Sequence, residues 1–199
     1  MSDKAQDIDI KKLNELLHSG VSTERLEGAT ELARLAARTR NRGAVRTRGS
    51  ITRPAPSRLP KGMSLIDALE IFKDQHVEVR RALAFALGEL AGANAVQVLR
   101  QIADSDRDPA VREDAIDALG KIGGWDAISA IATTARVDPS DNVRMRSILA
   151  LTDIAAAEPS AVQEVIAILN TLKDAASSED LKVQIYESIM RLEGKPNTG

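Results

Sequence analysis

The sequence predicts an all-α protein, specifically an α-solenoid: a right-handed superhelix of about five helical hairpins. Three observations lead there. One phrase recurs as VRRALAFALGEL from Val79, VREDAIDALGKI from Val111 and VRMRSILALTDI from Val143, and the two offsets are identical. Within each copy the apolar residues recur at helical spacing, Leu83, Leu87 and Leu90 on one face and Ala115, Leu119 and Ile122 on the matching face. Aromatic residues are only 2% of the chain against 43% hydrophobic residues, so the core is built of Ala, Leu, Ile and Val. That composition suits closely packed helices better than strands. A period in the thirties made of two helices is the signature of a solenoid.

The elements follow in order. A degenerate first copy, ERLEGATELARL, starts at Glu24, and its surplus distance to Val79 matches a basic insert between the two. A last copy, LKVQIYESIMRL, starts at Leu181, slightly later than the regular offset from Val143 places it. A second amphipathic stretch precedes each of the later copies: SLIDALEIF, AVQVLRQIA, AISAIATTA and AVQEVIAIL. The hairpins are therefore placed at 7–37, 63–91, 94–123, 125–156 and 160–193. Asp108 and Pro109 supply an N-cap and a first-turn proline, Ser160 has capping-box spacing, and Gly92 and Gly123–Gly124 stop helices. Ala86, Ala118 and Ala150 share one register position, where a small side chain lets two helices approach closely. In domain terms, 1–37 is a degenerate N-terminal cap, 63–193 the repeat array and 194–199 a disordered tail.

Residues 38–62 stand outside this grammar. They carry Arg38, Arg40, Arg42, Arg46, Arg48, Arg53, Arg58 and Lys61 with no acidic residue, a run of eight positive charges. The whole chain has a net charge of −2, so the rest carries 19 basic against 29 acidic side chains, a net of −10. Three prolines and three glycines argue for a flexible insert rather than a packed element. Its arginines (Arg40, Arg42, Arg46, Arg48, Arg53 and Arg58) suit the phosphates of RNA or DNA, an acidic partner protein or the chain's own acidic repeats, or have no specific role. With no aromatic residue among them, stacking on single-stranded bases has little to work with.

The phrase D-x-x-x-x-V-R-x-x-A-x-x-A-L-G-x-L/I, read best from Asp106 and more loosely from Asp74 and Asp138, resembles the HEAT repeat, and in particular the short variety named after the phycobilisome lyases. The resemblance covers 63–193 well and 7–37 weakly. It implies that Asp74, Arg80, Asp106, Arg112, Asp138 and Arg144 form a structural ladder, bonded across the turn and between neighbouring repeats. The expectation follows that Asp106→Ala strands Arg112. In the last copy Ala176 replaces the aspartate and Lys182 the arginine, so that turn should be less firmly tied. The resemblance also implies that the second helix of each pair lines the concave surface. Positions i, i+4 and i+8 there form one stripe: Arg81, Phe85 and Glu89; Glu113, Asp117 and Lys121; Met145, Leu149 and Asp153. Apolar anchors among charges of both signs suit a protein partner, unless a neighbouring repeat or the insert covers them.

No catalytic constellation is present. The chain has no Cys and only His18 and His76, which excludes thiolate chemistry and leaves no histidine pair at metal-ligand spacing, so no metal and no cofactor are expected. GGW at Gly123 lacks the Lys-Ser/Thr of a phosphate loop, and Trp125 is read as a plug at a repeat junction. No apolar run reaches the roughly 18–20 residues of a membrane span, and the polar start resembles no signal peptide. The sequence thus reads as a cytoplasmic, non-catalytic scaffold, adaptor or assembly factor that binds another protein. The alternatives are a nucleic-acid-associated protein using the insert and a bilin lyase-type subunit, the latter suggested by the family name alone.

Overall fold

A computed structural model describes residues 10–42, 73–90, 93–176 and 178–194. Among them every regular element is helical: α1 (Ile10–Leu17), α2 (Ser22–Arg42), α3 (Val77–Leu90), α4 (Ala93–Ser105), α5 (Pro109–Ile122), α6 (Gly124–Val137), α7 (Asp141–Ala157), a short 3-10 turn (Pro159–Ala161), α8 (Val162–Ala175) and α9 (Glu179–Glu193). The chain forms two compact units, 1–95 and 96–199.

In the N-terminal unit α1 folds back on α2, and α2 lies along α3. Their shared core is Leu13 and Leu17 of α1, Ala29, Leu32 and Ala33 of α2, and Val79, Leu83 and Ala86 of α3. The degenerate first copy therefore packs as a true repeat. Gly28 makes this possible, because a Cβ there would lie 3.0 Å from both the Leu17 backbone nitrogen and the Leu16 Cβ. The helix α2 does not stop at 37. It runs through Arg38, Arg40 and Arg42, so the first residues assigned to the flexible insert are helical. Arginine is a good helix former, and the first breaker is Gly43, so charge changes at 38 but backbone geometry need not. The rest of the insert, including Arg46, Arg48, Arg53 and Arg58, lies outside the described residues, as do the first helix expected at 63–72, Gly92 and the tail beyond Gly194.

In the C-terminal unit α5 packs on α7 and α7 on α9, while α6 packs on α8. Val111, Ile116 and Leu119 of α5, Val143, Ile148 and Leu151 of α7, and Leu181 and Ile185 of α9 are buried between them. Ala118 and Ala150 are buried as well, and a Cβ on Gly120 would sit 3.3 Å from the Ala150 Cβ, so small residues do mark the closest approach of α5 and α7. Buried Ser147 and Thr152 donate to the carbonyls of Val143 and Ile148 at 2.8 Å each, which satisfies their hydroxyls inside α7.

Two of the predicted helix-end signals act as expected, at Asp108–Pro109 and at Gly123. Asp108 caps α5 by accepting from the Ala110 N–H at 2.9 Å, with Pro109 in the first turn, and Gly123 closes it at φ 58°. The structure adds two that the sequence reading did not name: Ser178 caps α9, and Gly194 closes that helix in the left-handed region. Ser160 departs from expectation. It lies within the 3-10 turn, and α8 starts from Ala161 without a side-chain cap.

Candidate functional site

Two sets of side chains form repeated constellations, one of arginines and aspartates at the turns and one on the face of the second helices. At the turns each arginine follows one rule. Its Nη1 donates to the backbone carbonyl six residues upstream: Arg80 to Asp74 O at 2.8 Å, Arg112 to Asp106 O at 2.8 Å and Arg144 to Asp138 O at 2.5 Å. The other edge of Arg112 reaches the carboxylate of the following copy. It binds Asp138 in bidentate fashion, Nε to Oδ2 at 2.7 Å and Nη2 to Oδ1 at 2.8 Å. Each aspartate also ties its own turn, Oδ1 accepting the N–H two residues on: His76 for Asp74, Asp108 for Asp106 and Ser140 for Asp138.

This geometry changes one sequence expectation. Arg112 takes only a backbone carbonyl from Asp106, and its carboxylate comes from Asp138, so Asp106→Ala does not strand it. It also adds a residue that the sequence reading missed. In the first copy Arg25 donates Nε and Nη2 to the two oxygens of Asp74, and its Nη1 to Ser19 O at 2.8 Å. Ser19 stands six residues before Arg25 and its Oγ accepts the Val21 N–H at 3.0 Å, doing locally what aspartate does elsewhere. The spacing was readable, but the change from Asp to Ser and from Val-Arg to Glu-Arg hid it.

Burial alone would raise the Asp74 carboxyl, but the Arg25 hydrogen bond, the His76 N–H and the charge on Arg25 together bring it below its ordinary value. A depressed folded-state value means that the stabilisation is complete above the ordinary aspartate range and is lost as pH falls through the folded value. Melting followed in steps from neutral to acid pH should therefore show the N-terminal unit weakening in that window. Asp74→Asn should lower stability at neutral pH and flatten this acid limb. An unchanged pH profile would assign the acid sensitivity elsewhere.

On the second helices of the C-terminal unit, Glu113, Asp117, Met145 and Leu149 are half-buried, while Lys121 and Asp153 are exposed. The stripe continues onto α9 at Val183, Glu187 and Arg191, which stand to Met145, Leu149 and Asp153 as Leu181 stands to Val143. The sequence reading ended one helix early, although the offset of the last copy was already known. Val183 is 55% exposed. Two ion pairs cross the face, Arg146 to Asp117 at 3.3 Å between α7 and α5, and Arg191 to Asp153 at 3.1 Å between α9 and α7. Exposed pairs of this kind contribute about 0–1 kcal/mol, so they align side chains more than they hold helices together. Burial lifts the Asp117 carboxyl above its ordinary value, with Arg146 opposing the lift.

In the N-terminal unit Arg81 is exposed and Phe85 is 48% exposed, as a surface stripe requires. Glu89 is buried, at 9%, and does not belong to that surface. The same register is exposed at Lys121 and Asp153, so the difference lies in the surroundings of Glu89 and not in helix phase. Trp125 is no plug. It is 57% exposed in the first turn of α6, on the outward face with Ser129 and Arg136, while Ala127, Ile128 and Ile131 point inward. Among the described residues no three His, Asp or Glu side chains come together in a way that could hold a metal ion, and no helix is long and apolar enough to cross a membrane.

Stacked helical hairpins with a repeated turn bond define an α-solenoid. Its repeats are of a known kind: residues 64–152 match the family described as HEAT repeats. The fold is similar to the crystal structure of an engineered protein from the Northeast Structural Genomics Consortium, with 16% identity, coverage of 94% of this chain and 99% of that one, and a TM-score of 0.51. At that identity the likeness is one of fold. No curated protein matches the chain.

Proposed function

We propose that the chain is a non-catalytic scaffold or adaptor of the cytoplasm, which grips a partner protein through the concave, second-helix face of its solenoid, with the arginine-rich segment assisting. HEAT repeats commonly mediate protein interactions, and the observation that carries the reading is the apolar line Met145, Leu149 and Val183 on consecutive second helices, rimmed by Glu113, Lys121, Glu187 and Arg191. Accessible apolar anchors inside a charged rim match the anatomy of protein interfaces. The flanking ion pairs are weak enough to exchange partners on docking.

The test begins with a photo-cross-linking residue at 149 or 183, compared with one at Ser129 on the outward face of α6. Partner adducts are expected from the first two positions and not from the third. With the partner in hand, Leu149→Asp should weaken binding by about 2 kcal/mol or more, roughly 30-fold, without altering the melt. Phe85→Asp is the matching change in the N-terminal unit. Equal cross-linking from Ser129, or undiminished affinity of both variants, would reject the face. Steep loss of affinity with salt, together with loss of binding when Arg40, Arg42, Arg46 and Arg48 become Ala, would replace this reading with nucleic-acid binding through the basic segment.

A further inference from the structure

On each second helix of the C-terminal unit one stripe looks toward the following hairpin. On α5 it is Arg112, Ile116 and Gly120, each one turn beyond the last. Arg112 binds Asp138 of the following copy, and a Cβ on Gly120 would sit 3.3 Å from the Ala150 Cβ on α7. Ile116 lies between them on the same side and is buried. On α7 the stripe is Arg144, Ile148 and Thr152, with Ile148 buried beside Leu181 and Ile185 of α9. On α9 the same positions hold Lys182, Tyr186 and Met190. Tyr186 is 47% exposed where Ile116 and Ile148 are buried, and Lys182 and Met190 are half-buried. Among the described residues, then, the side of α9 that corresponds to a stacking face is open. The two helices of this hairpin treat that opening differently. On α6, Ile128, Ala132 and Ala135 are buried. Ile166, Asn170 and Lys173 stand to them on α8 as Leu181 stands to Val143, and Asn170 and Lys173 are exposed and polar, as the end of a stack requires. The stripe on α9 carries an aromatic ring and a thioether instead.

We propose that this face pairs two copies of the chain, α9 packing antiparallel on α9 of the second copy about a two-fold axis at Tyr186. Three observations select a second copy as the occupant. Tyr186 is the middle residue of α9 (Glu179–Glu193), so antiparallel pairing centred there keeps the whole helix in contact and lays the ring on its own symmetry mate. Aromatic rings are enriched in interface cores, and a pair of them favours an offset or edge-to-face arrangement. The charges at the two ends complement each other under that axis. Lys182, bonded to Glu179 of its own helix at 2.7 Å, falls within about one turn of Glu193 of the second copy, and the symmetry repeats the contact at the other end. The third observation is that such stripes in this chain already pack on hairpins of the same design, as Ile116 and Ile148 do. A two-fold contact also closes on itself, whereas head-to-tail stacking would run on into a filament. A helix of this length is about 22 Å long and about 10 Å wide, so two faces of two helices each bury on the order of 1,000 Å². That is the lower bound of a specific interface, and the dimer is expected at micromolar concentrations. The pairing does not depend on the concave face binding a partner.

Sedimentation equilibrium of the full chain over about 5–500 μM tests this. The mass should rise from 21.4 kDa toward twice that value and stop there. Tyr186→Glu should weaken association at least tenfold without altering the melt, the effect of removing a central aromatic anchor and opposing two charges, while Tyr186→Phe should keep it. The chain has no cysteine, so single cysteines report the geometry directly. Tyr186→Cys should give a disulfide-linked dimer under mild oxidation, because two facing helices bring that position within bonding range of its mate, and Ser129→Cys on the outward face of α6 should not. Each of these results upholds the pairing. A mass of 21.4 kDa throughout, growth beyond the dimer, undiminished association of Tyr186→Glu, or equal linking from Ser129→Cys overturns it.

Discussion

Replacing Gly28 with leucine is expected to strip α1 from the N-terminal unit. The helix α1 crosses α2 so closely at this point that even a methyl group would meet the Leu17 backbone nitrogen and the Leu16 Cβ at 3.0 Å and the Leu17 Cγ at 3.1 Å. A leucine side chain cannot be accommodated by a rotamer change, because part of the obstruction is backbone. Undocking exposes Leu13 and Leu17, both buried in the core, at about 1.5–3 kcal/mol each, so the loss should reach about 3–6 kcal/mol. The better helix propensity of leucine returns about 0.8 kcal/mol at most. Hydrogen exchange checks the mechanism: the α1 amides should lose protection while those of α3 keep theirs. Unchanged stability and protection would show that the close approach does not hold in solution.

Asp138→Ala should be the most damaging single change at the turns, at about 3 kcal/mol, the lower end of what breaking a buried pair costs. Arg112 and Asp138 are 8% and 5% exposed, and the carboxylate holds both the guanidinium edge and the Ser140 N–H. Losing the proton is no escape for Arg112. Its hydrogen bond to Asp138 holds its pKa above an already high ordinary value, burial opposes this, and the charges of Asp106 and Asp108 add to it. Without Asp138 a charged, largely buried guanidinium keeps only the Asp106 carbonyl and those more distant charges. Chemical denaturation of Asp138→Ala, Asp138→Asn and the double variant Arg112→Met/Asp138→Leu checks this. The asparagine should lose less than the alanine, and the apolar double variant should recover part of the loss, since an unpaired charge is worse than none. A loss below about 1 kcal/mol for Asp138→Ala would mean that water already solvates Arg112.

Much of the architecture was legible without coordinates, because it is local. The constant offset of the Val-Arg phrase, the spacing of Leu83 and Leu87 and of Ala115 and Leu119, the cap at Asp108 and the stop at Gly123 each follow from the pattern of single hairpins, and each lies where that pattern places it. The six-residue step from aspartate to arginine was legible too, since it spans a single turn. The candidate face was partly legible: helical phase alone put Met145, Leu149 and Asp153 on one side, but not Val183 beyond them.

What the sequence by itself determined, then, is the repeat, its helices and their inward faces. Tertiary structure decided which carboxylate each arginine takes. Arg112 has acidic residues on its own turn and on the next, and only the placement of one hairpin on another selects Asp138 over Asp106. The same holds for Glu89, buried at a register where Lys121 and Asp153 meet solvent, and for Trp125, which two left-handed glycines deliver onto an outward face. A copy encodes its own helix phase, but the rise and rotation to its neighbour come from how whole side-chain surfaces fit. That fit is a property of pairs of copies, and no single copy spells it.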